Sequence, residues 1–284
     1  MEIIMSQIIL TGRPVAPAPW PRLFSLRTII GTALVSALPP TMAWAADLPV
    51  KAVPAPSAYN WAGCYVGLNA GAGGSGSNFT SSAGTGTHLL GAGAPLVGGD
   101  GTGSGNATGF LGGGQAGCNW QSGTIVYGLE GDVDYFHSNP QFANGTNTLS
   151  DGATPFTVTQ SLKTDFFATV RPRIGITADR NLGYITGGAA FSHASYTQSY
   201  ADGAAPAGSG AATGSKSLIG WTVGAGWEHA FADHWTFKLE YLYASFPTTS
   251  ASGVIVDPAG GTNPLHGTSD PVVQTLRAGV NYKF

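Results

Sequence analysis

The chain predicts an all-β fold: an eight-stranded antiparallel up-and-down transmembrane β-barrel with long extracellular loops and short periplasmic turns. Three observations carry this. The last thirteen residues, VVQTLRAGVNYKF from Val272 to Phe284, alternate apolar and polar side chains and end on a bare aromatic. Long and short connections take turns along the chain, as they do between the outer and periplasmic ends of a membrane barrel. When faces are assigned by the apolar side chains, with the period of two that a strand imposes, the charged residues fall on the opposite face.

Composition agrees. Glycine is abundant at 43 of 284 residues, charged residues make up 10% and there are two cysteines, a mix that suits a Gly-rich barrel. No uninterrupted apolar run reaches the roughly 18 residues of a spanning helix. The nearest candidate, TIIGTALVSALPPTMAWAA, follows three arginines, is broken by Pro39 and Pro40, and ends in the small-residue site Ala43-Trp44-Ala45. It reads as a secretory signal, residues 1–45, cleaved near Ala45. Its loss removes Glu2, Arg13, Arg22 and Arg27, leaving 14 acids and 9 bases, with no basic stripe to hold nucleic acid. Residues 46–60, with three prolines, read as an extended periplasmic segment ahead of a barrel over 61–284.

The strands follow in order, at about 61–73, 109–120, 124–136, 162–176, 182–194, 217–230, 235–245 and 272–284. The first turns Val66 and Leu68 outward, and the second is a Gly-rich neighbour ending in Cys118-Asn119-Trp120. The third sets Ile125, Tyr127, Leu129, Val133 and Tyr135 against Glu130, Asp132 and Asp134. The fourth carries Lys163, Asp165, Arg171 and Arg173, with Pro172 removing a ladder donor at its centre. The fifth presents Ile185, Ala189 and Phe191. The sixth opposes Trp221, Val223, Ala225 and Trp227 to Glu228. The seventh opposes Trp235, Phe237, Leu239, Tyr241 and Tyr243 to Lys238 and Glu240, and the last turns Arg277 and Lys283 away from its apolar face. Segments 74–108, 137–161, 195–216 and 246–271 are the long loops, and tight turns lie near 121–123, 178–180 and 232–234. An even strand count puts both termini in the periplasm.

All twelve strand charges are therefore expected inside: six acids and six bases in a barrel whose own side chains nearly fill it. The expected result is a salt-bridged plug in which Arg171, Arg173, Glu130, Glu228, Glu240 and Arg277 meet and Asp134 pairs with Lys163 near the outer end. Charges lining a narrow ion path are the alternative.

Five stretches and the chain end carry a family resemblance: ADLPVKA with NWAGCYVGLNAGAG, GGGQAGCNWQSGTIVYGLEGDVDY, TVRPRIGITADRNLGYITGGAAF, GWTVGAGWEHAFADHWTFKLEYLYASF, and VQTLRAGVNYKF. In these the chain resembles the small outer-membrane immunogenic proteins of Gram-negative bacteria, the porin family built on an outer membrane protein A-type barrel. The resemblance implies an anchored envelope protein with exposed antigenic loops, no catalytic residues, and a terminal Phe, here Phe284, read by the barrel-assembly machinery. Cys64 and Cys118 stand where the family carries aromatics. They are either a cross-strand disulfide, which an exported chain permits, or two lipid-facing thiols.

Other motifs carry little. Gly71-Ala72-Gly73-Gly74-Ser75-Gly76 fits G-x-G-x-x-G but enters a loop instead of a helix. The histidines lack ligand spacing, no nucleophile elbow is present, and three N-glycosylation triplets are chance in a bacterial compartment. The reading is a monomeric outer-membrane protein of structural and surface-antigen character with slow, porin-like passage of small solutes. It is not an enzyme and uses no cofactor. Its partners are outer-membrane lipid, lipopolysaccharide and the assembly machinery, with no nucleic acid. The alternative is a receptor or adhesin binding haem or a host ligand through its loops, with His88, His137 and His266 as haem contacts. Deleting Phe284 should lower the yield of assembled barrel more than the urea midpoint of barrel already formed; equal losses in both would assign its role elsewhere.

Overall fold

A computed structural model describes residues 59–89, 92–145 and 147–284; the signal segment and most of the Pro-rich stretch lie outside the described residues. The strands are β1 (Gly63–Ala83), β2 (Gly103–Ser122), β3 (Ile125–Ser138), β4 (Gln141–Ala143), β5 (Asn147–Thr148), β6 (Pro155–Ala178), β7 (Asn181–Asp202), β8 (Ser209–Ala230), β9 (Trp235–Ser245), β10 (Thr249–Val256) and β11 (Thr262–Lys283), with one helix, α1 (Gly93–Asp100), between β1 and β2. All pair antiparallel. β4 and β5 extend the β3 side against β6, and β9 and β10 are two lengths of one stave, so the sheet is a ring of eight staves. β1 against β11 closes it, from Tyr65 opposite Lys283 to Ala83 opposite Leu265. Closure leaves no unpaired edge, which a sheet in hydrocarbon requires.

The tight turns come where the chain must reverse at once. Gly123, at φ 61°, turns β2 into β3, and Asp179, at φ 51°, turns β6 into β7. Outward side chains form the apolar belt: Leu68, Phe110, Val133, Ile176, Ile185, Ile219, Trp221 and their neighbours are all exposed. On β11 the belt runs from Tyr282 to Val272. Ten strand residues at about 3.3 Å each, tilted about 40°, span about 25 Å, the height of an outer-membrane apolar band. Trp120 stacks on Tyr127, and Trp235 packs edge-on to Tyr282, near the periplasmic rim.

The strands continue well beyond the predicted outer ends. Most of what reads as long loops is ladder: β1 runs ten residues past Gly73, β6 begins at Pro155, β7 ends at Asp202 and β11 begins at Thr262. In this crown water replaces lipid outside, and the side-chain pattern reverses. Phe79, Phe156, Val158, Tyr196 and Leu265 point inward, while Thr80, Thr157, Thr159, Ser215 and Thr268 face out. Burying each large apolar group contributes about 1.5–3 kcal/mol, so segments that look featureless have a core of their own.

Pro172 is accommodated by its neighbour strand. The β6–β7 ladder skips Arg171 and Pro172 against Gly187 and Gly188, and resumes in the same register at Arg173 opposite Thr186. The Thr186 hydroxyl donates to the Pro172 carbonyl at 2.8 Å. A Cβ on Gly188 would stand 2.2 Å from the Val170 carbonyl oxygen. The missing amide is thus met by a glycine that lets the backbones close in. Gly188→Val should cost about 1–3 kcal/mol, read as a lower urea midpoint of the compact, heat-modifiable gel species. A wild-type midpoint would mean the approach is not required.

Candidate functional site

The barrel interior has three layers. The middle one is ionic. On β3, Glu130, Asp132 and Asp134 point inward on alternate positions; β6 supplies Arg171 and Arg173, β8 Glu228, β9 Lys238 and Glu240, and β11 Arg277, and all nine are buried. Register places three opposite pairs directly across strands: Glu130 with Arg171, Glu228 with Lys238, and Arg277 with Glu240. Arg171 Nη2 lies 2.8 Å from Glu130, 2.9 Å from Asp132 and 3.1 Å from Glu240. Arg277 meets Asp132 at 2.9 Å, Asp134 at 2.6 Å and Glu240 at 2.6 Å. Lys238 reaches Glu130 at 2.7 Å. Arg173 lies 3.1 Å from Glu228 between the rings of Tyr65 and Tyr184, 4.9 and 5.0 Å from their centres. Tyr65 donates to Glu130 at 2.5 Å and Tyr184 to Glu240 at 2.9 Å. Every guanidinium meets at least one carboxylate, as charges taken out of water must, and Arg171 and Arg173 turn their Nε donors to Thr169 at 2.7 Å and Asn119 at 3.0 Å.

Two of the twelve expected lumen charges lie outside. Lys163 and Asp165 have side chains 52% and 50% exposed and pair with each other at 3.5 Å, Asp165 also meeting His137 at 3.2 Å. The cause is a shift of register between Thr164 and Phe167, where Asp165 and Phe166 both turn outward and the parity of β6 flips. Asp134 accordingly pairs with Arg277, not Lys163. Lys283 keeps the inward parity but ends at the periplasmic mouth, its Nζ 4.3 Å from the Tyr59 ring centre and donating to the Asn60 carbonyl.

That mouth holds the second layer. Tyr59 and Trp61 fold in against Val126, Leu182, Tyr184 and Ala230. The Trp61 amide donates to Gln121 Oε1 at 2.7 Å and the Tyr59 hydroxyl to the Asp233 carbonyl at 3.3 Å. β1 itself begins at Gly63, so Trp61, at the predicted start of the first strand, and Tyr59, in the segment expected to stay extended, form a cork instead. Their position just after the proline run was the available signal.

The third layer is the apolar crown core. Over it lies the segment between β1 and β2, where Leu89, Ala94 and Val97 are buried among the inward side chains. Pro95 sits in the first turn of α1, where a missing amide costs nothing. Asn263 Oδ1 accepts from the amides of His88 and Leu89 at 3.0 and 2.7 Å. The His88 ring is held between Asp202 at 2.6 Å and Asp257 at 2.8 Å. Burial disfavours the charged imidazole, but hydrogen bonds to Asp202 and Asp257 and the attraction of both carboxylates outweigh it and raise its pKa above the ordinary value. Burial pushes Asp202 up, yet His88, the Gly208 amide and Tyr200 together bring it below the usual range. For Asp257 the Gly261 amide leads and His88 adds to the same lowering.

The histidines suggested for haem do not converge. His88 has both ring nitrogens occupied, His137 stands on β3 beside Asp165, and His266 on β11 faces the Ser252 hydroxyl at 2.9 Å. Cys64 and Cys118 are direct partners across β1 and β2, Cα atoms 4.0 Å apart, joined as a disulfide on the outward face. Phe284 is exposed at the periplasmic rim, its amide donating to the Cys64 carbonyl at 3.1 Å.

The chain matches the family model for the outer membrane protein beta-barrel domain over residues 43–284. It is 35% identical to the 31 kDa outer-membrane immunogenic protein of Brucella melitensis over 89% of this chain and 98% of the relative. It is 29% identical to the 25 kDa outer-membrane immunogenic protein of Brucella abortus, over 91% of this chain and all of the relative. Among solved structures, the outer membrane protein OprG from Pseudomonas aeruginosa overlaps with a TM-score of 0.38 at 11% identity, covering 80% of this chain and 99% of that one.

Arg277→Met should be the most damaging change in the ionic layer, because Asp132, Asp134 and Glu240 all lose a partner. A loss of about 3–5 kcal/mol is expected, with Asp134→Asn costing clearly less, both measured by urea unfolding in lipid vesicles. Equal and small effects would show that the layer does not behave as a coupled network.

Proposed function

Because the chain belongs to the outer membrane protein beta-barrel domain family, we propose that it is a sealed outer-membrane barrel whose role is structural and surface-presenting, with no catalytic step. The observation that carries this reading is the filling of the interior at three heights: the Tyr59–Trp61 cork, the ion-paired layer and the apolar crown core. Passage of small solutes needs a continuous wet path, and here the charged groups satisfy one another instead of water. The relatives' names, immunogenic outer-membrane proteins, support a surface-antigen role.

Export through a leader removed near Ala45 belongs to the same reading, as does a periplasmic segment over 46–60. The outward belt suits lipid, the hydroxyl-rich crown suits the polar zone of lipopolysaccharide, and Phe284 is the end that assembly machinery would read. A monomeric working unit belongs to the same reading, supported by a ring that closes without borrowing a strand from a second copy. A receptor role would have to use the outer surface of the crown, because His88, His137 and His266 stand apart.

Planar-bilayer recording on folded protein tests the reading. The expected trace stays at baseline, while whole-cell proteolysis or surface labelling finds the crown outside. Large, steady openings would overturn the sealed interior.

A further inference from the structure

His88 has an unusual position for a loop residue. It lies between β1 and α1, yet its ring touches two other connections: Asp202 closes β7 before the turn into β8, and Asp257 opens the turn from β10 to β11. The three side chains are 5%, 0% and 7% exposed. Each carboxylate also has partners within its own turn. Asp202 accepts from the amides of Ala204 at 3.0 Å and Gly208 at 2.9 Å and from the Tyr200 hydroxyl at 2.7 Å. Asp257 accepts from the amides of Ala259 at 2.7 Å and Gly261 at 3.0 Å. Gly208 closes the pocket: a Cβ there would stand 2.0 Å from His88 Nε2.

Donor arithmetic then decides the protonation state. Ionised carboxylates only accept, and a neutral imidazole has a single N–H. With an aspartate on each ring nitrogen, only the imidazolium satisfies both. The groups facing the ring are Asp202 and Tyr200 from β7, Asp257 from the β10–β11 turn, and the neutral Asn263 of β11, which holds the backbone amides of His88 and Leu89.

We propose that His88 is a proton-operated latch that straps the β1–β2 connection across the outer mouth by joining it to the β7–β8 and β10–β11 turns. The inference goes beyond the proposed role and stands or falls separately from it. Losing the proton leaves one buried carboxylate facing a ring lone pair, and the strap separates from at least one turn. Leu89 follows His88 directly and is buried in the crown core, so release uncovers apolar side chains such as Phe79 and Leu265.

The sign of the pH dependence follows from the shifts. The raised His88 pKa makes its contribution complete below the ordinary histidine range and lost as pH rises through the raised value. The lowered Asp202 and Asp257 values make theirs complete above the ordinary carboxylate range and lost only in stronger acid. The strap is therefore closed through the ordinary histidine range and opens as pH rises through the raised His88 value.

A nitroxide on Thr85→Cys, an exposed site three residues before His88, reads the strap in full-length protein purified in detergent. The native cysteines are bonded, so the new thiol is the one labelled. A Ser122→Cys label at the periplasmic end is the control. Between about pH 6 and pH 9.5 the ratio of mobile to immobile Thr85 label should rise, by about tenfold per pH unit through the transition, the slope of one proton released. The Ser122 label should not change. His88→Gln, which lacks the second donor direction, should give the mobile spectrum already at about pH 6, and Asp257→Asn should move the transition to lower pH. A Thr85 label equally immobile at both ends of the range in the wild-type chain would overturn the latch, as would a His88→Gln spectrum matching wild type at about pH 6.

Discussion

Hydrocarbon tolerates neither an unpaired peptide group nor an ionised side chain, and the architecture follows from that intolerance. A Lys or Arg turned toward lipid at mid-membrane costs about 2–4 kcal/mol, so the strand charges of the spanning region go inward. Once inside a narrow ring they have little water, and each must find an opposite. The register supplies part of it, with Glu130 facing Arg171 and Arg277 facing Glu240 across adjacent strands, while Glu228 reaches Arg173 and Lys238 reaches Glu130 across the lumen. The ladder that satisfies the backbone is also what aligns the charges. Even the proline obeys the same demand, since Thr186 and the paired glycines Gly187 and Gly188 repair the ladder around Pro172.

Above the belt the solvent outside changes, and the same strands change their chemistry. Inward positions that held carboxylates and guanidinium groups give way to Phe79, Phe156, Tyr196 and Leu265, and outward ones that held Trp and Ile give way to Ser and Thr. Two staves also change their parity at this boundary. β6 turns Asp165 and Phe166 out in succession, and Pro247 and Thr248 do the same between β9 and β10. The protein is thus a membrane barrel and a water-soluble barrel stacked on common strands. Its apolar core lies outside the membrane, where water makes burial favourable.

The belt was readable from sequence because alternation of large apolar and charged residues has few other meanings. Nine buried ionic residues fall on the face that alternation indicates. Lys163 and Asp165 do not, because a shift of one residue in register leaves no mark of its own: the period of two simply resumes out of phase. The crown was hidden differently. Phe156, Val158, Gln160 and Leu162 do alternate with Thr157, Thr159 and Ser161, but with inverted polarity, in a background of Ser, Thr and Gly that imitates loop. The Tyr59–Trp61 cork and the His88 contacts join residues 60 to 175 positions apart, and no local pattern announces such partners.

A crown built from ladder rather than from slack loops presents a composite face. Thr80, Thr268 and Ser250 come from three separate stretches of chain, β1, β11 and β10, and stand side by side only because the ring closes. Any molecule that recognises this surface from outside the cell reads a discontinuous determinant, one that short peptides cut from the sequence would not reproduce and that heating in detergent would erase.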